Sequence, residues 1–208
     1  WDTVVMHGFS TLDPKKPGDP TVLISTARQM AEFFAVRNAA VDVRVMATWA
    51  RADQTYDSKG AWYGKPIAAM AKDVRDGYDK AAASTSLIKG VVPVGQAWTR
   101  AVQSGVADAN PYDVIDAGKV NLWTYDNYHA STYGYYLEAL VVFGSVAGRD
   151  PRSLGEKECS GFELGLSTKQ VAALEQVAYD ELAAAGPITA APLKLPKPVA
   201  PDRCVHPR

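Results

Sequence analysis

Strand-like and helix-like segments alternate along this chain, and that alternation constrains its fold more than any other feature. Short apolar runs rich in β-branched residues occur at 1–6, 41–50 and 90–98, although Pro93 weakens the centre of the last. Helical patterns with one apolar face follow each run. Strands separated by helices require crossover connections, which give a parallel sheet. The sequence therefore predicts an α/β fold with a mainly parallel sheet flanked by helices on both faces.

The length and charge of the chain limit its organisation and its partners. Its 208 residues are enough for one domain with a substantial core, which we place at 1–186. The remaining segment, 187–208, holds six of the thirteen prolines and is expected to run extended over the surface. The net charge of −1 gives no basic surface for nucleic acid, and the longest apolar run is too short to span a membrane.

Two cysteines, Cys159 and Cys204, are too few for a zinc site or a disulfide scaffold. They are either two free thiols or one bridge that holds the proline-rich tail. We predict the bridge. It would close a loop of about 45 residues and stabilise the fold by about 3–4 kcal/mol in the chain-entropy model.

Polar side chains follow each predicted strand. Because the carboxyl ends of parallel strands share one edge of a sheet, these residues are candidates to line a substrate site there. Solvated loops with local ion pairs are the alternative. The candidates are His7, Gly8 and Ser10 after the first strand, Arg51, Asp53 and Gln54 after the second, and Gln96 after the third.

The segment LWTYDNYHASTYGYYLEAL, 122–140, contains an Asp-x-x-His pair just before a helical pattern that Ser131 could cap. In a turn entering a helix, side chains three positions apart can lie side by side. Asp126 could then accept a hydrogen bond from one imidazole nitrogen of His129, which leaves the other nitrogen to act as a base. The alternative is a histidine that only caps a turn.

The sequence Asp126-x-x-His129-x-x-x-x-Gly134 resembles the last conserved block of the SGNH (GDSL) hydrolases, in the form D-x-x-H-x-S-x-x-G. The resemblance covers about residues 1–147. It implies a flavodoxin-like three-layer fold in which the aspartate orients the histidine and the histidine activates a serine. The runs at 1–6 and 90–98 look like the third and last strands of that fold.

The resemblance also implies strands that are not visible here. The family's nucleophilic serine follows its first strand, and the chain shows strands for the last three positions only, so the serine is expected upstream of Trp1. Ser10, in Gly8-Phe9-Ser10, is the alternative nucleophile. The family's oxyanion-hole amide position is occupied here by His7-Gly8. The missing strands predict either an N-terminal segment or a homo-oligomer partner beside the sheet edge.

The function expected from this resemblance is esterase activity on acyl or acetyl esters, without a cofactor, in a secreted or periplasmic protein. Aromatic residues near the strand ends favour a carbohydrate ester, although most could instead be core: Trp49, Trp62, Trp98, Trp123, Tyr56, Tyr63, Tyr125 and Tyr128. A non-catalytic, carbohydrate-binding protein on a degenerate hydrolase fold is the second hypothesis. A metal-dependent hydrolase is the third, with the ligands His7, Asp53, Asp126 and His129.

Overall fold

A computed structural model of the chain describes residues 1–155 and 158–186. Its centre is a parallel sheet with the strand order β1-β2-β3, formed by Thr3–Met6, Asp42–Met46 and Ile88–Val92. Val4 pairs with Val43, and Val45 pairs with Val91. The predicted α/β fold with a parallel sheet is confirmed.

Helices connect and cover the strands. In chain order they are α1 Thr21–Arg37, α2 Ala52–Thr55, α3 Ile67–Ala83, α4 Val94–Gln103, α5 Thr132–Ala147, α6 Cys159–Glu163 and α7 Thr168–Ala185. The Ser131 hydroxyl accepts the Gly134 N–H at the start of α5, as predicted. Ser167 and Gln170 form a capping box at the start of α7. These caps satisfy amide groups that the first turn of a helix leaves without partners.

Two apolar cores lie on the two faces of the sheet. Successive side chains of a strand point to opposite faces. Val43 and Val45 accordingly belong to one core with α1 and α3, whereas Met46 and Val92 belong to the other with α4, α5 and α7. The sheet is therefore the middle of three layers, and the loops after its strands remain available to form a site.

The third predicted strand is shorter than expected, and this changes the place of Gln96. β3 ends at Val92, and α4 begins at Val94, directly after Pro93. Proline has no backbone N–H and a φ suited to helix entry, so it ends the ladder and starts the helix. The strand prediction is confirmed for 90–92 and wrong for 93–98, and Gln96 lies within α4 rather than at a strand end.

Cys159 is disulfide-bonded at the start of α6. Its predicted partner, Cys204, lies outside the described residues, as does the whole predicted tail 187–208. Within the two described ranges, no helix is both long and apolar enough to cross a bilayer.

Candidate active site

The Asp126–His129 pair lies in a tight turn whose ends are held together. The Thr124 N–H donates to the His129 carbonyl at 2.8 Å, and the Asn127 N–H donates to the Thr124 carbonyl at 3.0 Å. Asn127 has a φ of 57°, in the left-handed region that asparagine tolerates better than most residues. The turn therefore reverses the chain between Trp123 and Ala130, which form an isolated antiparallel bridge.

The carboxylate of Asp126 organises this turn with both of its oxygens. Oδ1 accepts from the Thr124 hydroxyl at 2.6 Å and from the backbone N–H groups of Tyr128 at 3.0 Å and His129 at 2.9 Å. Oδ2 lies 2.6 Å from Nδ1 of His129. The hydrogen bond predicted from the Asp-x-x-His spacing is thus present. It favours the tautomer in which Nδ1 carries the proton and Nε2 has a free lone pair.

These hydrogen bonds hold the pKa of Asp126 well below its ordinary value. The largest cause is the Thr124 hydroxyl, followed by the His129 side chain, while partial burial opposes the shift. Donors to a carboxylate stabilise its ionised form. Asp126 is therefore an anion at neutral pH and suits a role that orients an imidazole.

Replacing Thr124 with valine is expected to raise the pKa of Asp126 toward the ordinary carboxyl value, because it removes the donor that lowers this pKa most. The folded-state pKa is lower than the unfolded value of about 3.9, so the stabilisation from Asp126 is present above that value. It is lost as the pH falls through the folded-state pKa. An NMR titration of the Asp126 carboxyl carbon in both proteins measures the change; an identical titration would contradict the assignment.

His129 presents its ring to solvent. Its side chain is 56% exposed, and no protein group within the described ranges forms a hydrogen bond with Nε2. A ring held at one nitrogen and open at the other has the geometry that a general base requires.

A close contact at the start of α5 fixes the turn against the core. A methyl group on Gly134 would come within 2.4 Å of the Leu122 carbonyl oxygen and 2.5 Å of the Trp98 ring. Only glycine permits this approach. Trp98 stacks on Trp49 with 4.8 Å between ring centroids and meets Trp123 edge-to-face. The glycine of the motif therefore acts through packing and positions the turn that precedes it.

Arg51 connects several of the predicted site residues after β2. Its Nε and Nη2 donate to the two carboxylate oxygens of Asp53 at 3.0 and 2.6 Å, and its Nη1 donates to the Ser10 hydroxyl at 3.1 Å. Gln54 donates to Asp53 at 3.0 Å. Ser10, Arg51, Asp53 and Gln54 therefore form one hydrogen-bonded cluster after β1 and β2, and their role in binding a substrate stays a prediction.

The Arg51 cluster touches the turn that carries His129. The Arg51 guanidinium lies 3.6 Å from the centre of the Tyr128 ring. The Asp53 N–H donates to the Asn127 carbonyl at 3.1 Å, and the Trp49 indole donates to the Tyr128 carbonyl at 3.0 Å. Loops that follow β1 and β2 thus converge on the Asp126–His129 turn.

His7 and Gly8 lie beside a different feature. They line an open pocket between the end of β1 and α1, where Tyr78 also contributes. The Gly8 N–H donates to the Tyr78 hydroxyl at 2.8 Å, so this amide is already engaged. Burial raises the pKa of Tyr78 to about 12. Burial also raises the pKa of Glu138 on α5, and the charge of His7 opposes that shift, which places His7 within electrostatic reach of α5.

Gln96 does not join the cluster. Its amide donates to the Ala71 carbonyl at 3.1 Å and its oxygen faces Arg75, both on α3. The metal hypothesis receives no support either. In the part of the chain that the structure describes, no three His, Cys, Asp or Glu side chains gather closely enough to hold a metal ion, so His7, Asp53, Asp126 and His129 do not form a ligand set.

Two residues of this site were not singled out from the sequence. The Thr124 hydroxyl is the largest cause of the lowered pKa of Asp126. The Thr-x-Asp spacing, which is typical of a turn capped by side chains, is the sequence signal for this residue. In the sequence, Tyr128 is distinguished only as one of several aromatic residues near the predicted strand ends. Three of those, Trp62, Trp98 and Trp123, are core, whereas Tyr63 and Tyr125 are exposed.

The fold and the site together define a three-layer α/β protein with an aspartate–histidine pair beside the loops that follow its parallel strands. No family model and no curated protein matches the chain. Among solved structures, a DUF4886 family protein from Bacteroides uniformis is similar, with a TM-score of 0.61 at 17% sequence identity. The alignment covers 93% of this chain and 66% of that protein, so the chain spans slightly less than two thirds of its length. This likeness supports the fold.

Proposed function

We propose that this chain carries the acid–base pair of an SGNH-type serine esterase. The observation that carries the proposal is the 2.6 Å contact between His129 Nδ1 and Asp126 Oδ2, in a histidine side chain that is 56% exposed. The resemblance of Asp126, His129 and Gly134 to the family's last block supports it. So does the parallel sheet, whose strand-end loops meet at this pair.

In the proposed reaction, His129 Nε2 takes the proton of a serine hydroxyl as that oxygen attacks the carbonyl carbon of an ester. The imidazolium then gives the proton to the departing alcohol oxygen, and an acyl-serine remains. Water attacks the acyl-serine by the same proton transfers, which releases the acid and restores the serine. Asp126 stabilises the imidazolium and holds the ring.

The nucleophile in this proposal is a serine supplied by sequence upstream of Trp1. Ser10 is the alternative within the chain. Its hydroxyl accepts a hydrogen bond from Arg51, and no hydrogen bond joins it to His129. A serine activated by a histidine must give its proton to the imidazole nitrogen, and that hydrogen bond is absent between these two described residues. The geometry therefore favours a structural role for Ser10.

The proposed substrate is an acyl or acetyl ester, with a carbohydrate as the alcohol component. Tyr125, adjacent to Asp126, is 98% exposed and offers an aromatic face close to the pair. Aromatic faces beside polar groups suit sugar rings. Location outside the cytoplasm belongs to the same proposal.

A fluorophosphonate probe, which modifies activated serines, tests the proposal on the natural full-length polypeptide. We expect the probe to label a serine other than Ser10, as located by mass spectrometry of the modified peptide. The Ser10→Ala variant should still be labelled. Acetylated xylan and p-nitrophenyl acetate provide the matching hydrolysis assays.

Three results would change the assignment. Labelling on Ser10 would move the nucleophile into this chain. Labelling that persists in His129→Ala at the wild-type rate would remove the histidine from the mechanism. A polypeptide that binds oligosaccharides without labelling or hydrolysis would favour the carbohydrate-binding hypothesis.

A further inference from the structure

The ring of Tyr128 contacts both the cationic centre of this region and the proposed base. The Arg51 guanidinium carbon lies 3.6 Å from the centre of the ring. The His129 ring is 4.2 Å from the same centre, centroid to centroid, with 30° between the ring planes. Both neighbours therefore lie over a face of the ring.

The two groups must lie over opposite faces. Non-bonded carbon and nitrogen atoms pack at about 3.5–4.0 Å. A guanidinium and an imidazole that were both this close to the centre of one face would overlap. The Tyr128 ring thus lies between Arg51 and His129 and contacts both.

Arg51 is itself fixed. Both arms of its fork are taken by Asp53, and its remaining terminal nitrogen donates to Ser10. Its side chain is only 12% exposed. A guanidinium held in this way is a rigid support for an aromatic ring, and the attraction between the two is stronger when they are desolvated.

The exposed side of His129 needs such a support. Asp126 fixes one edge of the imidazole, and the Tyr128 ring, which packs against the imidazole, further restricts rotation about the bonds of the histidine side chain. Tyr128 is anchored at its backbone by Asp126 and Trp49. Its ring packs against the Arg51 guanidinium.

We propose that Arg51 is a positioning residue that acts through Tyr128 to hold the His129 ring in the orientation in which Nδ1 meets Asp126 and Nε2 faces the substrate. This role deepens the proposed esterase function and rests on it for its catalytic meaning. The stack itself is a property of the folded chain and can be tested without activity.

The test is nitrogen-15 NMR of the His129 ring in the 208-residue chain, in mildly alkaline buffer. In the wild type we expect a single tautomer, protonated at Nδ1, and a downfield Nδ1 proton that exchanges slowly with water. Arg51→Gln and Tyr128→Leu should give averaged ring nitrogen shifts and exchange that is faster by at least about tenfold. Tyr128→Phe keeps the aromatic face and should preserve the wild-type signature.

Arg44→Gln is the matched control. Arg44 also pairs with a carboxylate two residues away, Asp42, at 2.8 Å, but on β2 and without contact to Tyr128. It should leave the His129 signals unchanged, and the amide fingerprint of each variant reports whether the fold is intact. Arg51→Lys keeps the charge without the planar fork and should give an intermediate result.

Activity then separates this inference from the proposed function. In the natural polypeptide, Arg51→Gln should lower kcat by about 10²-fold, as misplacement of a catalytic group does, while KM changes little. Wild-type ring signals in both Arg51→Gln and Tyr128→Leu would overturn the positioning role, whatever the activity. If both variants alter the ring signals but the wild-type protein has no esterase activity, the positioning role of Arg51 stands and the proposed function is refuted.

Discussion

Replacing His129 with alanine in the natural full-length polypeptide is expected to lower kcat by about 10⁴–10⁶-fold, as loss of a triad base does. The imidazole is the only group in the proposed reaction that both accepts and returns the serine proton. Asp126 cannot take its place, because its Oδ1 already accepts three hydrogen bonds and its pKa is strongly lowered. The measurement is steady-state hydrolysis of p-nitrophenyl acetate at enzyme concentrations verified by absorbance.

Asp126→Asn is the companion change and should cost about 10⁴-fold in kcat. The amide oxygen can still accept from Thr124, Tyr128 and His129 as Oδ1 of the aspartate does. The amide nitrogen would then face His129 Nδ1 as a donor. That arrangement favours the wrong tautomer, in which Nε2 carries the proton and cannot act as a base. The turn should therefore survive while catalysis is lost.

Both variants should remain folded, because the pair lies at the surface. His129 is 56% exposed, and exposed ion pairs contribute about 0–1 kcal/mol. If His129→Ala unfolds the chain, or keeps more than about a tenth of the activity, the pair is structural and the esterase proposal loses its main support.

The fold was predictable where the signals are local. The alternation of apolar runs and amphipathic segments depends on neighbours within one turn or one strand, and so do the caps at Ser131 and Ser167. The end of β3 was misplaced because the apolar pattern continues unbroken from Val92 into α4, and only Pro93 marks the change. Apolar residues at this boundary are buried in either conformation.

The candidate site was predictable to the same extent. The Asp126–His129 contact spans three positions, so its spacing alone indicates it. The contacts of Arg51 with Ser10 and Tyr128 join residues 41 and 77 positions apart, and no local pattern encodes them. The rule that parallel strands end at one edge of the sheet correctly predicts that Ser10 and Arg51 lie close together. It fails for Gln96, because that residue belongs to a helix and not to a strand end.

The second large effect is expected at Gly134, whose role is steric. Alanine there would place a methyl group 2.4 Å from the Leu122 carbonyl oxygen and 2.5 Å from the Trp98 ring. Neither can yield easily, because one is backbone and the other is packed between Trp49 and Trp123. We expect a loss of about 3 kcal/mol in the free energy of unfolding. For a chain of this size, that corresponds to a melting temperature lower by about 6–12 °C.

Gly90→Ala supplies the matched control for Gly134→Ala. A methyl group on Gly90 in β3 meets no atom within 4 Å, so this variant should unfold within about 0.5 kcal/mol of the wild type. Because α5 starts three residues after His129, any shift that accommodates the methyl group on Gly134 also moves the turn. Gly134→Ala should therefore lose the proposed esterase activity even at temperatures where it remains folded. A melting temperature within about 2 °C of the wild type, together with unchanged activity, would show that α5 can move away from Trp98 without disturbing His129, and the packing role of Gly134 would be wrong.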